Sequence, residues 1–489
     1  MKIPKQLLIP LVLITVTLSV GGYLKYINNS NSEKTKEKQV IITSQDEKTE
    51  IQSEADPVIE SHINEAFEML KKHGEMSKQV WPDYDLSQNN IIACEIDDFT
   101  KKITNAWKLT TTTKSRLTKE QINSLEVPPI GAYNSTKFEG KKSIIIGISK
   151  SRLQELNNFT NYNFVYEVGV HEIFHIYNEP FMSLIKISIK SKNSGSRGTE
   201  FPKKAEPRVY RKMILDNLVL AFENPKDEKT YLGKAKYWNE KWKSKYPEEY
   251  YQGMTYDILE GKARYIQNMM CIMYDGISDE EKVSEIKNLF NKSSNPHESI
   301  DAESYSLGFV AGVLLDRGGS NWKKKITKHP EAPVEYLLKD VNIIKGNYSD
   351  FEEMLKVSEN QMREVNKNID SKLKTIKEGE NDVNIPYLQI KSKFLNGSFE
   401  TSDFINYLDL DLDVNLDFTG TFKNKNGSIY LKNLSIYSSK DNKNDYVLPL
   451  NMDYKISNGR FIINNENIKG DIKVKQTKDK DGRIIYIMK

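Results

Sequence analysis

The stretch Tyr166-Glu167-Val168-Gly169-Val170-His171-Glu172-Ile173-Phe174-His175-Ile176-Tyr177 carries a His-Glu-x-x-His pattern inside an apolar run of helical length. Residues four positions apart lie on one face of a helix. We therefore expect His171 and His175 to point two imidazoles at one metal ion, with the carboxylate of Glu172 near enough to reach a water beside it. Two nitrogen ligands and a carboxylate base are typical of a zinc hydrolase. The chain has only six histidines, which makes a chance match rare.

The composition is that of an ordinary globular protein, and its charge balance argues against a nucleic-acid partner. A chain of 489 residues is long enough for two or three domains. Its 71 basic and 68 acidic residues give a net charge of +3, without the concentrated positive charge of a nucleic-acid-binding protein, so we expect no nucleic-acid partner. Cys94 and Cys271 are too few for a cysteine-based zinc site. They either pair with each other or remain buried free thiols.

The N-terminal residues predict export. In residues 1–26, two lysines precede an apolar run, as in a signal peptide or signal anchor. Residues 27–56 are polar, without periodicity, and predict a disordered tether. We therefore expect a protein on the extracellular side of the cell membrane, either held there by its N-terminal segment or secreted.

The rest of the chain predicts an α+β fold. Residues 57–345 contain mostly helical patterns and a few strands, which predicts a mainly helical domain with a small sheet. Residues 346–381 predict a charged helical connector. Residues 382–489 contain strand-length runs separated by turn residues, and the strictly alternating run 408–418 predicts one strand. This composition predicts a separate all-β C-terminal domain.

A catalytic zinc ion normally has three protein ligands, so a third ligand is needed. Glu179 follows His175 by four residues, but Pro180 predicts that the motif helix ends there. A ligand from a second helix is sterically simpler, and the segment around Glu260 predicts such a helix. Gly261, next to Glu260, costs a helix about 1 kcal/mol relative to alanine, which suggests close approach by another backbone. The motif helix is the natural candidate for that neighbour.

Together, His171-Glu172-x-x-His175 and Glu260-Gly-x-Ala-x-Tyr resemble the motifs of the gluzincin metallopeptidases. The resemblance covers roughly residues 130–320. It implies a zincin-like catalytic domain, a Zn²⁺ ion held by His171, His175 and Glu260, and Glu172 as general base. The interval between the two motifs is longer than in the aminopeptidase branch, so no aminopeptidase specificity is carried over.

Three further features have two interpretations each. Asp257, one turn before Glu260, either accepts a hydrogen bond from a ligand histidine or is a surface or capping residue. The transition state needs a hydrogen-bond donor, for which Tyr265 and Tyr305 are candidates and Tyr305 is preferred. The apolar run 143–148 is either the edge strand that would hold an extended peptide, as in zincins, or an ordinary interior strand.

These observations predict an exported zinc-dependent metallopeptidase that hydrolyses a peptide or protein substrate. The C-terminal β domain is expected to bind a surface polymer or a protein partner. One alternative is a cell-surface binding protein built on a zincin scaffold, with the β domain as its binding module. Another is zinc-dependent hydrolysis of a non-peptide bond, because the chemistry of the site is shared.

Overall fold

The computed structural model describes most of the chain after the tether, in the ranges 54–74, 76–159, 162–188, 199–274, 278–292, 300–319, 321–396, 399, 401–439 and 445–489. The predicted signal segment and nearly all of the predicted tether lie outside these residues. Within them, every helix is too short or too polar to cross a membrane.

The architecture is α+β, as predicted, with a helical region that contains a small sheet and then a strand-rich region. The helices are α1 Pro57–His73, α2 Ser77–Val80, α3 Lys119–Asn123, α4 Lys150–Phe159, α5 Phe164–Ser188, α6 Ala205–Glu223, α7 Glu228–Lys245, α8 Pro247–Tyr274, α9 Asp279–Lys292, α10 Ile300–Arg317, α11 Asn321–Lys328, α12 Pro333–Leu338, α13 Tyr348–Lys372 and α14 Lys374–Asn381. The strands are β1 Asn90–Ile96, β2 Ile103–Leu109, β3 Lys114–Arg116, β4 Tyr133–Phe138, β5 Lys141–Ile148, β6 Thr199–Phe201, β7 Tyr387–Lys391, β8 Asp403–Tyr407, β9 Leu412–Asn424, β10 Gly427–Ser438, β11 Asp445–Pro449, β12 Lys455–Ser457, β13 Arg460–Asn464, β14 Ile468–Lys478 and β15 Ile484–Met488.

The first sheet has five strands in the order β3-β2-β1-β5-β4. β5 contains the apolar run 143–148 and lies between β1, to which it is parallel, and β4, to which it is antiparallel. It is therefore an interior strand, and the edge-strand interpretation of this run is wrong. Both faces of β5 are covered by apolar cores, which explains why Ile144, Ile145 and Ile146 are all buried. The edge strand beside it is β4.

The motif helix α5 packs on this sheet through Gly169, where an added Cβ would overlap the side chain of Ile91 in β1. The prediction that this helix ends at Pro180 is wrong. The helix continues to Ser188. A proline removes only its own N–H from the helical ladder, while the turns on either side keep their bonds.

Close approach at Gly261 is present, but the neighbour is α10 and not the motif helix. A Cβ added to Gly261 would lie 2.9 Å from Cα of Gly308. The reason is the geometry of α8: Gly261 is rotated by about 100° from Glu260, so these two residues cannot face the same neighbouring helix. Glu260 faces α5 and Gly261 faces α10.

The second sheet has ten strands in the order β12-β13-β14-β15-β7-β11-β10-β9-β8-β6. Because β10 also pairs with β14, strands β14, β15, β7, β11 and β10 form a closed ring. Its apolar interior includes Phe422, Ile429, Ile472 and Tyr486. The strand in the alternating run starts at Leu412 and not at Leu408. Residues 408–410 form a 3₁₀ turn, and Asp411 after it has a left-handed backbone conformation.

The two regions share structure across the predicted boundary at residue 382. β6, which precedes α6 in the helical region, pairs in parallel with β8 of the second sheet. Phe201 of β6 packs in one apolar cluster with Ile369 and Leu373 of the helical connector and with Tyr407 of β8. The sheet is therefore not built from the C-terminal residues alone. Elsewhere in the fold, Cys94 and Cys271 are buried in different cores and form no disulfide with each other.

Candidate metal centre

Three predicted ligand atoms converge between α5 and α8. Nε2 of His171 lies 3.1 Å from Nε2 of His175, and Oε2 of Glu260 lies 3.1 Å from the first and 3.2 Å from the second. Ligand atoms about 2.0–2.1 Å from a tetrahedral zinc ion lie about 3.3 Å from one another. The three atoms therefore already have nearly the mutual spacing that a zinc ion requires.

Glu172 lies beside these ligands. One oxygen of its carboxylate is 3.9 Å from Nε2 of His171. The hydroxyl of Tyr133, the first residue of the edge strand β4, donates a hydrogen bond to the Glu172 carboxylate. This contact links the carboxylate to β4, which among the described residues pairs with another strand on one side only.

Burial and the neighbouring charged groups shift the pKa values of the residues in the centre. Burial raises the pKa of Glu172 to about 7 and lowers that of His171 to about 4. Burial would also lower the pKa of His175, but the charge of Glu260 and its hydrogen bond raise it to about 9. Burial would raise the pKa of Glu260, yet the two histidines hold it well below its usual range. Within the centre, the pairing of His175 with Glu260 thus favours the charged form of both groups, while His171 is kept neutral by its burial.

A hydrogen-bond relay fixes the orientation of His171. Its Nδ1–H donates to Oε1 of Gln267 at 3.0 Å, and Nε2 of Gln267 donates to Oε2 of Glu167 at 2.7 Å. The main-chain N–H of Tyr162 donates to the other oxygen of Glu167. With Nδ1 protonated, the lone pair of Nε2 points to the centre, as in metal sites where an outer partner sets the tautomer.

This relay was not predicted from the sequence, although the helical spacing of Gln267 and Glu167 indicates it. Gln267 follows Glu260 by two helical turns and so shares its face of α8. Glu167 precedes His171 by one turn of α5. A search of the motif faces for further polar residues would have found both. Tyr133 could not be found in this way, because it lies on a strand distant in sequence.

Asp257 does not contact a ligand histidine, and it is neither a surface nor a capping residue. It is buried, and the guanidinium of Arg211 donates to both of its oxygens at 2.6 and 2.8 Å. Nε of Arg211 also contacts Glu303 at 3.3 Å. The carboxylate of Asp257 points towards α6, where the bidentate hydrogen bonds from Arg211 compensate its buried charge. This ion cluster connects α6, α8 and α10 about one helical turn from Glu260.

The two candidate tyrosines lie in different places. The ring of Tyr305 is 5.8 Å from the ring of His171, and the guanidinium of Arg264 lies 4.8 Å from the centre of the Tyr305 ring. Tyr265 faces away from the centre, since its hydroxyl donates to Asp316. Of the two, only Tyr305 lies at the centre.

The chain matches no family model, no curated protein and no solved structure. The function of the centre is therefore inferred from its own residues and from their surroundings.

Proposed function

We propose that this protein is a zinc-dependent metallopeptidase with the ligand set of a gluzincin: His171, His175 and Glu260. The observation that carries the proposal is the convergence of the two Nε2 atoms and one carboxylate oxygen at 3.1–3.2 Å. Two imidazoles and one carboxylate suit zinc better than calcium or magnesium, which prefer oxygen ligands. A zinc ion held there would supply Lewis acidity to the reaction.

The surrounding residues have distinct roles in this proposal. Glu172 accepts a proton from the attacking water and returns it to the leaving nitrogen, a task for which its pKa of about 7 is suited. Tyr133 holds the Glu172 carboxylate in place. Tyr305 donates a hydrogen bond to the oxygen that becomes negative in the transition state.

The edge strand β4 supports a peptide as the substrate class. Within the described residues, β4 pairs on one side only, with β5. An extended peptide added to its other side would form main-chain hydrogen bonds and would pass beside Glu172, which Tyr133 of β4 contacts. This geometry favours peptide-bond hydrolysis over hydrolysis of a non-peptide bond.

The test is the substitution Glu172→Gln. We expect zinc content to stay near one ion per chain, while turnover of a quenched fluorescent peptide library falls about 10²–10⁴-fold, the usual contribution of a general base. Glu223→Gln, an exposed carboxylate at the end of α6, is the matched control. Unchanged turnover in Glu172→Gln would exclude the mechanism. A purified protein without stoichiometric zinc would favour the surface-binding alternative.

We also propose that the peptidase acts outside the cell, with its N-terminal segment as membrane anchor or export signal. The support is the sequence of residues 1–26 alone. Fractionation of cells that express the full chain tests this, and recovery in the cytoplasmic fraction would contradict it.

A further inference from the structure

A row of lysines crosses the outer surface of the second sheet. It consists of Lys432 on β10 and Lys469, Lys473 and Lys475 on β14, and we name these four residues the lysine stripe. All four are exposed, as is Lys423 on the neighbouring strand β9. None of their ammonium groups forms an ion pair with a described residue. Unpaired lysines in one row are available to an outside partner.

The stripe lies on one face because of strand alternation. In β14, Ile468, Ile472 and Val474 are buried inside the ring of strands, so the lysines at 469, 473 and 475 point outwards. In β10, Leu431 is buried and its neighbour Lys432 is exposed. The main chain of Lys432 bonds to that of residue 467, which places Lys432 next to the beginning of β14. The four lysines thus follow the direction of a single strand.

The acidic group within this row is already occupied. Asp471, between Lys469 and Lys473, accepts a hydrogen bond from Nε of Arg460 on β13 at 2.5 Å. Its negative charge is compensated by Arg460, and the stripe keeps a net positive charge. Another part of the outer surface, near β8, is covered by Ile369 of α13 and by Leu373, the residue that follows this helix. The stripe lies outside this covered part.

The shape of the stripe favours a linear partner. From residue 469 to residue 475 a strand extends about 20 Å. The positive charges lie along this line, and the aromatic residue beside them, Tyr430, is paired with Lys469 across β10 and β14. A membrane-binding surface usually adds several apolar side chains that insert between lipids, whereas among the described residues of β10 and β14 the exposed large hydrophobic side chain is that of Tyr430. Ammonium groups bind phosphate as point charges, without the paired geometry of arginine.

We propose that the lysine stripe binds a linear polymer that carries one phosphodiester charge per repeat, with the chemistry of poly(glycerol phosphate). This goes beyond the proposed peptidase activity and does not depend on it. Such binding would hold the protein along a polyanionic polymer, while the metal centre on the helical region stays free to act.

The test uses the full chain and fluorescently labelled poly(glycerol phosphate) of about 20 repeats, with binding followed by anisotropy at increasing salt. The triple variant Lys469→Gln, Lys473→Gln, Lys475→Gln should bind at least tenfold more weakly. The slope of log K against log salt should become shallower by about 2, because each phosphate neutralised on a single chain contributes about 0.7. Turnover of a small peptide should not change.

A matched triple variant controls for total charge. Lys324→Gln, Lys325→Gln, Lys328→Gln removes three exposed lysines from α11 in the helical region, and it should bind the polymer like the unmodified chain. An equal loss in both variants would overturn the proposal. So would equal or tighter binding of single-stranded DNA of the same charge, or binding to vesicles containing 30% phosphatidylglycerol without binding to the polymer.

Discussion

The helical region and the C-terminal sheet use charged side chains in opposite ways. Around the candidate metal centre, Asp257, Glu260 and Glu303 are buried, and each contacts an arginine or a histidine. On the sheet, Lys469 and Lys473 are exposed and pair with no described carboxylate. A buried charge must be paired because it has lost its water, and the pair then fixes positions to within a hydrogen-bond length. An exposed charge keeps its water and acts over about a Debye length of 8–10 Å.

The largest expected effect separates a buried pair from an exposed one. Arg211→Met removes the two hydrogen bonds that Arg211 donates to Asp257. It should lower the free energy of unfolding by about 3–5 kcal/mol, because a buried carboxylate is left unpaired. Arg460→Met breaks the exposed pair with Asp471 and should cost less than about 1 kcal/mol. Urea unfolding followed by circular dichroism measures both. Equal losses would remove the contrast between the two regions.

Next in size is the close contact of α8 and α10. Gly308→Ala places a Cβ against the backbone of Gly261, so the two helices must separate, at a cost of about 1–3 kcal/mol or more. Zinc affinity should fall as well, because Glu260 moves with α8. Gly318→Ala, where the nearest atom to an added Cβ lies at an ordinary 3.4 Å, should leave the melting temperature and zinc binding unchanged. A Gly308→Ala protein that melts like the unmodified chain would contradict the packing.

The relay at His171 should matter for the metal more than for the fold. Gln267→Leu removes the acceptor for Nδ1–H, and the loss of such an outer partner typically weakens metal binding 10–100-fold. Competition with a chromophoric zinc chelator measures this. Gln252→Leu, on an exposed face of the same helix, should have no effect. Unchanged zinc affinity in Gln267→Leu would mean that the relay does not orient the ligand.

The smallest effect is expected on the stability of the sheet. The triple glutamine variant of the lysine stripe should change the unfolding free energy by no more than about 0.5 kcal/mol, as is usual for exposed residues without partners. Thermal melting of the variant and the unmodified chain measures this. A loss above about 1.5 kcal/mol would show that the lysines support the sheet and are not reserved for a partner.

The sequence predicted the parts of the centre that depend on helical spacing. His171, Glu172 and His175 are adjacent because of their separation along one helix, and Glu260 was found through a short motif on another. The sequence did not predict what lies opposite a given helix face. For this reason the neighbour of Gly261, the partner of Asp257 and the contact of Tyr133 with Glu172 were wrong or missed. The pairing of β6 with β8 left no local pattern either.

The pairing of β6 with β8 has a consequence for how the protein folds. Lys203, just after β6, forms an ion pair with Asp403, a residue 200 positions later in the chain. Contacts at such long range raise the contact order and slow folding, because a large loop must close first. β6 leads directly into α6, whose Arg211 anchors α8. The pairing of β6 with β8 therefore cannot form before residues 403–407 have been synthesised.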